Sequence, residues 1–457
     1  MKSSWIKPFY EELSITKAPV AYREFPGVPV RGEERSESAP RFYLRALESF
    51  HLLESVGLPT SNALAESSKN VAFIKNLSLH PPGRYRTVPS ELVLRSFRSA
   101  VEFALEYAEE LLDAYVFCAK TAQATGVSIP QFLEKESISQ FLGPKLTTIG
   151  VNTWSIGRTA RQGLNTRELG VNRDEFDTQY FSNLREHRGL WDLLMVLGGC
   201  YLVILGTLMA RRQGELIDLK VGSMLNSSGS HLRFKARKSG TGDMRQTLER
   251  PIPAFASELL RLLENFQERL VAGGVLSETS NALMFPKEVN SGLLKAGQSS
   301  FNFMLDRFCD FFQTEIDKNG RRFYLRQHQL RRFFAMLFFW GNSFSGLDVL
   351  RWFMGHSDAE HLYHYISEST PGHVLRGVKA DFVVEHAKAH DPQTLPLLDF
   401  IENHFGTREV LLLDSDELGE FIEELLANGS VTVEPHFMRG TGGTTYEVLI
   451  CVSDNAQ

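Results

Sequence analysis

Residues 191–210, WDLLMVLGGCYLVILGTLMA, limit what this chain can fold into more than any other stretch. A helix of that length spans about 30 Å, enough to cross a bilayer. It runs into Arg211 and Arg212, carries Asp192 near its start, and has no second apolar span to accompany it. The chain is 43% hydrophobic and 23% charged, the balance of a packed globular protein. A helix that is apolar all round fits the centre of such a domain, so we expect a buried core helix and no membrane partner.

The flanking pattern is mainly helical. Leu94, Phe97, Val101, Leu105, Ala108, Tyr115 and Cys118 recur at helical spacing after Ser90, a candidate N-cap. Further helices are expected over 129–142, 254–270, 300–318, 326–340 and 373–389, with a short one over 41–57. Residues 231–253 alternate on either side of SGTGD and predict a β-hairpin. The end, SVTVEPHFMRGTGGTTYEVLICV, predicts two more strands around a glycine-rich turn. The fold class is therefore mainly α with a small antiparallel sheet (α+β), carrying an appended small α+β unit at the C-terminus. Four regions are expected: 1–90 of unknown role, 91–165 helical, 174–390 compact, and 393–457 acidic.

Charge is unevenly spread. The 49 Lys and Arg against 55 Asp and Glu exclude a uniformly basic coat. Yet Arg321, Arg322, Arg326, Arg331 and Arg332 crowd around His328, whereas 399–424 is strongly acidic. The reading is a basic centre and an acidic tail, the tail competing with a polyanion for the basic face, docking a partner, or standing as a solvated acidic helix with no role. Cys118, Cys200, Cys309 and Cys451 form no CxxC pair, so free thiols in a reducing cytoplasm are expected. MKSSWIKPFYEEL lacks the apolar run of a signal peptide.

The chemistry-bearing residues come in a fixed order. Arg212 follows the apolar helix, with Glu215 three residues on, where it shares a helix face and can orient the guanidinium. Lysines Lys235 and Lys238 sit on the hairpin. His328 and Arg331, in His-Gln-Leu-Arg, project from one helix face. Gly355-His356-Ser357 follows, and Tyr365 lies nine residues after His356. Singly, each has an ordinary reading: a surface ion pair, a turn histidine, a core tyrosine.

As an ordered set, these motifs resemble the catalytic domain of tyrosine recombinases, the phage-integrase family, over roughly 174–390. The resemblance implies a site-specific DNA recombinase that breaks and rejoins DNA through a covalent 3′-phosphotyrosine, integrating or excising a mobile element. Arg212 and Arg331 would bind the non-bridging phosphate oxygens, with Glu215 in support. Tyr365 would be the nucleophile. A hairpin lysine would protonate the leaving 5′-oxygen, Lys238 by its place at the turn, with Lys235 as the alternative. His328 would assist proton transfer and His356 would donate to a phosphate oxygen. No metal or cofactor is implied. Double-stranded DNA would be the partner, held as a clamp by the helical region 91–165 acting as a core-binding domain and by the catalytic domain. The Arg cluster would supply phosphate contacts. The family acts as a homotetramer on two duplexes, and the 373–389 helix is a candidate link between neighbours; accessory proteins are possible partners. A type IB topoisomerase-like relaxing enzyme, or a decayed DNA-binding regulator, is the alternative. Tyr363 competes with Tyr365, but two residues apart on a helix the two point in opposite directions. His361 departs from the family pattern, which has a small hydroxyl residue there.

Overall fold

The computed structural model describes residues 23–30, 57, 86–157, 173–237, 244–355, 359–367, 370, 372–440 and 443–453. The chain divides into two compact units, Gly27–Thr87 and a larger one formed by Met1–Pro26 with Val88–Gln457. In the smaller unit the Arg86 N–H donates to the Val30 carbonyl at 2.8 Å. The expected 41–57 helix lies outside the described residues, except for Gly57.

The larger unit is helical with two separate two-stranded antiparallel sheets. Its helices are α1 (Ser90–Thr125), α2 (Ile129–Leu133), α3 (Pro144–Thr148), α4 (Arg173–Arg185), α5 (Leu190–Met209) and α6 (Gln213–Ile217). After the first hairpin, β1 (His231–Lys235) and β2 (Thr247–Pro251), come α7 (Ala254–Ala272), α8 (Gln298–Phe311), α9 (Gln327–Asn342) and α10 (Leu347–Met354). Then follow α11 (Ala359–Ser367), α12 (Gly372–Lys388), α13 (Leu398–Phe405), α14 (Ser415–Asn428) and the hairpin β3 (Val431–Gly440) with β4 (Gly443–Val452).

The apolar segment is the central helix, α5, and its side chains are buried against α1, α8 and α9. Its Gly198-Gly199 step permits the close approach of α8: a Cβ at Gly199 would lie 2.5 Å from the Met304 carbonyl oxygen and from Phe308. Asp192, buried at the start of α5, accepts from the Tyr180 hydroxyl at 2.6 Å and the Ile156 N–H at 2.9 Å. Those bonds make a carboxyl tolerable inside an apolar helix.

Two clusters make up the core. The first runs from Val88 to Phe333 and contains α1, α5, α7 and α8 together. The helical stretch expected at 91–165 therefore shares one apolar core with residues of 174–333. Tyr115 of α1, for instance, donates to the Gly292 carbonyl at 2.8 Å. The second cluster joins Phe339, Leu347, Leu350 and Leu362 to Phe382, Ile401, Leu418, Ile422, Val431 and Ile450. The C-terminal α+β unit is consequently packed into the fold as part of this second core. The expected helices among the described residues form with shifted ends. The 300–318 helix stops at Phe311, two residues before Gln313, whose φ is +51°, and 129–142 forms only α2 and a 3₁₀ turn at Ile138–Phe141.

One expectation about surfaces is corrected. The Arg cluster is not a basic face: Arg322, Arg326, Arg331 and Arg332 are buried. Arg322 pairs with Glu24 at 2.9 Å and lies 3.5 Å from Asp310, while Arg326 meets Asp306 at 2.7 Å. Buried guanidiniums persist because acids on α8 and in residues 23–26 meet them. One face of α12 buries Val378, Phe382, Val383 and Val384 and packs on α14 of its own chain, while His373, Asp381 and Glu385 stay exposed.

Candidate active site

The site grows from the end of α5. Ala210 terminates that helix in the left-handed region, at φ 48°, a conformation an L-residue adopts at some cost. The turn sends Arg211 and Arg212 in different directions. Arg211 is fully buried, donates from Nε to the Met209 carbonyl at 2.5 Å and from Nη2 to the Phe353 carbonyl, and stacks over the Phe234 ring at 4.3 Å. Its Nη1 has no hydrogen-bond partner among the described residues. Arg212 stays partly exposed. Glu215 of α6, itself buried, accepts from Arg212 Nη1 at 2.8 Å and from the Arg212 N–H at 3.0 Å. The expected Arg212–Glu215 pair is thus formed, through a carboxylate that holds both side chain and backbone.

The second wall is the C-terminal end of α10. A helix end leaves carbonyl oxygens without intrahelical donors and carries partial negative charge. Here guanidiniums fill that role. Arg250 of β2 donates to the Trp352 carbonyl at 2.5 and 2.9 Å, Arg211 to Phe353, and Arg331 of α9 from Nη2 to Met354 at 3.0 Å. Arg331 also donates from Nη1 to the Ala210 carbonyl, tying the ends of α5 and α10 together. Gly355 then turns the chain at φ 64°, which a glycine adopts freely.

Arg211, Arg212, Arg250 and Arg331 share one electrostatic neighbourhood with Glu215 as a carboxylate among them. Burial, then the charge of Arg331, pushes the Arg211 guanidinium well below its usual range, Glu215 opposing and Arg250 and Arg212 adding to the shift. Burial lowers Arg250 as well. Three guanidiniums and one carboxylate are the charges that act on Arg211, an arrangement that favours an anion nearby.

The hairpin forms as expected, with His231 opposite Pro251 and Lys235 opposite Thr247. Asp218, just past α6, anchors both of its arms: Arg237 donates to it at 2.9 Å from Nε and from Nη2, and Arg245 at 3.1 Å. Arg237 lies across Gly214, where a Cβ would come within 2.4 Å of its Nε. Lys238 lies outside the described residues; its neighbour Arg237 stands against Gly214 of α6, which is two residues after Arg212. Lys235 instead lines a cleft of about 470 Å³ with Asp218, Lys220, Arg233, Phe234 and Arg245.

His328 occupies the first turn of α9, three residues before Arg331 and partly buried. His356 lies outside the described residues, one position after Gly355. Tyr365 is on α11, and its side chain is outside them too. Tyr363 lies on the same helix. It is buried among Phe339, Phe344 and Phe437, with ring centroids 5.7–6.3 Å away. Its hydroxyl donates to Glu434 at 3.1 Å, and burial followed by that carboxylate raises its pKa.

Sequence reasoning missed Arg211 and Arg250. Arg211 adjoins a residue that was chosen, and its role depends on the turn at Ala210. Arg250 carries no motif, and only the sheet register brings it to α10.

No protein-family model matches the chain, and no curated protein matches it. Among solved structures it is similar to XerA recombinase, with 13% identity and a TM-score of 0.28, over 52% of this chain and 82% of that one. A TM-score at that level does not define a shared fold.

Proposed function

We propose that this chain is a DNA strand transferase of the tyrosine-recombinase type. The observation that carries the reading is the gathering of Arg211, Arg212, Arg250 and Arg331 at the junction of α5 and α10, with Glu215 as a carboxylate among them. A phosphodiester is the anion such a site suits, because its transition state places added charge on the non-bridging oxygens. Arg212 and Arg331 hold those oxygens. Tyr365 attacks phosphorus through its hydroxyl oxygen, forming a 3′-phosphotyrosine and breaking the bond to the 5′-oxygen. The 5′-oxygen takes a proton from Lys238, and Lys235 is the alternative donor. His328 accepts the tyrosine proton and His356 donates to a phosphate oxygen. Since the ester keeps the bond energy, a 5′-hydroxyl reverses the step without ATP.

Tyr365 is favoured over Tyr363 because Tyr363 is buried among phenylalanines with its hydroxyl on Glu434. The alternative is a relaxing enzyme that works on a single duplex. Strand exchange between two labelled duplexes separates the readings.

The test uses a randomised pool of duplexes carrying a 5′-bridging phosphorothiolate, whose thiolate leaving group traps the covalent ester. Wild type and Tyr363→Phe should yield a DNA adduct on a denaturing gel, and Tyr365→Phe none. An adduct that persists in Tyr365→Phe, or none with wild type, removes the proposal.

A further inference from the structure

The C-terminal hairpin touches the helix that carries Tyr365. Glu434 of β3 accepts the Tyr363 hydroxyl at 3.1 Å through one oxygen and the Lys379 ammonium of α12 at 2.5 Å through the other. Phe437, three residues along β3, packs its ring 6.1 Å from that of Tyr363. From β4, the Tyr446 hydroxyl donates to the Phe344 carbonyl at 2.8 Å, in the turn between α9 and α10. Behind these contacts Leu362 and Ile366 of α11 share a core with Val431, Val433 and Ile450. So α11 is gripped on one face by aromatic packing and on its Tyr363 hydroxyl by a carboxylate.

We infer that the β3–β4 hairpin is an intramolecular brace on α11, with Glu434 a positioning residue that sets how the helix presents Tyr365. Tyr363 and Tyr365 are separated by 200° of helical rotation, so any roll about the axis that frees one displaces the other. Fixing Tyr363 therefore fixes the opposite face. Glu434 does not touch DNA in this reading; it acts through Tyr363. Because its side chain is 63% exposed, the ion pair to Lys379 is screened by water, and ring burial carries much of the grip. The inference rests on the proposed strand-transfer chemistry for its kinetic consequence, though not for the brace itself.

The experiment uses the full chain and the phosphorothiolate pool. Glu434→Ala should slow adduct formation at saturating DNA roughly tenfold, the scale on which misplaced reacting groups lose rate. Glu434→Gln, which keeps an acceptor for Tyr363, should recover most of it, and DNA affinity should stay within about twofold in both, because binding and positioning are separate terms. Hydrogen exchange should speed up over 359–367 in Glu434→Ala and stay unchanged over 190–209. An unchanged rate, or a loss that appears equally in affinity, overturns the positioning role. Unchanged exchange over 359–367 overturns the brace. If wild type forms no adduct, exchange alone decides: faster exchange keeps the brace while the strand-transfer reading falls.

Discussion

Glu215 grips Arg212 twice, accepting its backbone N–H at 3.0 Å and its Nη1 at 2.8 Å, and is itself buried. One carboxylate thus stands among the guanidiniums of Arg211, Arg212, Arg250 and Arg331. Breaking a buried charged pair costs about 3–5 kcal/mol. Glu215→Gln should therefore lower the thermal midpoint. Inorganic phosphate should raise that midpoint more in the variant than in wild type, since an anion then supplies the missing charge. No stabilisation of either protein by phosphate would show that the arginines do not form an anion site.

The two hairpin lysines are separable by leaving-group chemistry. A 5′-thiolate departs without a proton, so a general acid is dispensable on a phosphorothiolate substrate. Lys238→Ala should lose about 10²–10⁴-fold on ordinary DNA and recover on the phosphorothiolate, while Lys235→Ala should change both substrates alike. The reverse pattern would transfer the proton-donor role to Lys235.

Burial pushes the Asp310 carboxyl up to about 7 against the opposing pull of the Tyr324 hydroxyl, Arg307 and Arg322. The folded chain then holds a proton that the unfolded chain releases near 3.8, so the native state binds more protons between those values. Stability attributable to Asp310 falls as pH rises through roughly 4 to 7, by an amount on the order of a few kcal/mol. In Asp310→Asn, which still accepts the Tyr324 hydroxyl, that decline should be absent from denaturant unfolding measured at stepped pH. A slope identical to wild type would refute the assignment.

With Arg322 and Arg326 paired internally, the proposed DNA binding would draw on other cations. Lys220 and Arg233, on the cleft beside the hairpin, are the test. Neutralising either should weaken binding to all sequences alike and reduce the slope of log affinity against log salt by about 1. Neutralising Lys287, which does not line that cleft, should leave the slope as it was; a drop of the same size there would remove the cleft from the DNA path.

Truncating 393–457 would not isolate the acidic charge of the tail. Leu418, Ile422, Val431 and Ile450 belong to the core that also holds Leu347 and Leu362, so the cut would open that core. Charge reversal on the exposed carboxylates of α14 leaves the packing intact and tests that charge directly.

Local signals were legible because they depend on neighbours in the chain. The apolar run fixed α5 as a buried helix, alternation gave the first hairpin its strands, and the i, i+3 spacing joined Arg212 to Glu215. The cluster around His328 misled for the same reason. A count of arginines along the chain does not reveal Glu24 and Asp306, which arrive from elsewhere and pair with Arg322 and Arg326.

By itself, then, the sequence determined the secondary elements and the order of the chemical groups, since periodicity and short-range spacing are properties of the chain alone. Tertiary structure decided which charges face one another: that Arg211 and Arg250 join Arg331 at the end of α10, that Tyr363 is buried against Glu434, and that the C-terminal unit completes a core. Those outcomes rest on burial and on distances across the fold. In a medium of low dielectric, such distances govern whether a charge is neutralised, left to attract a ligand, or excluded.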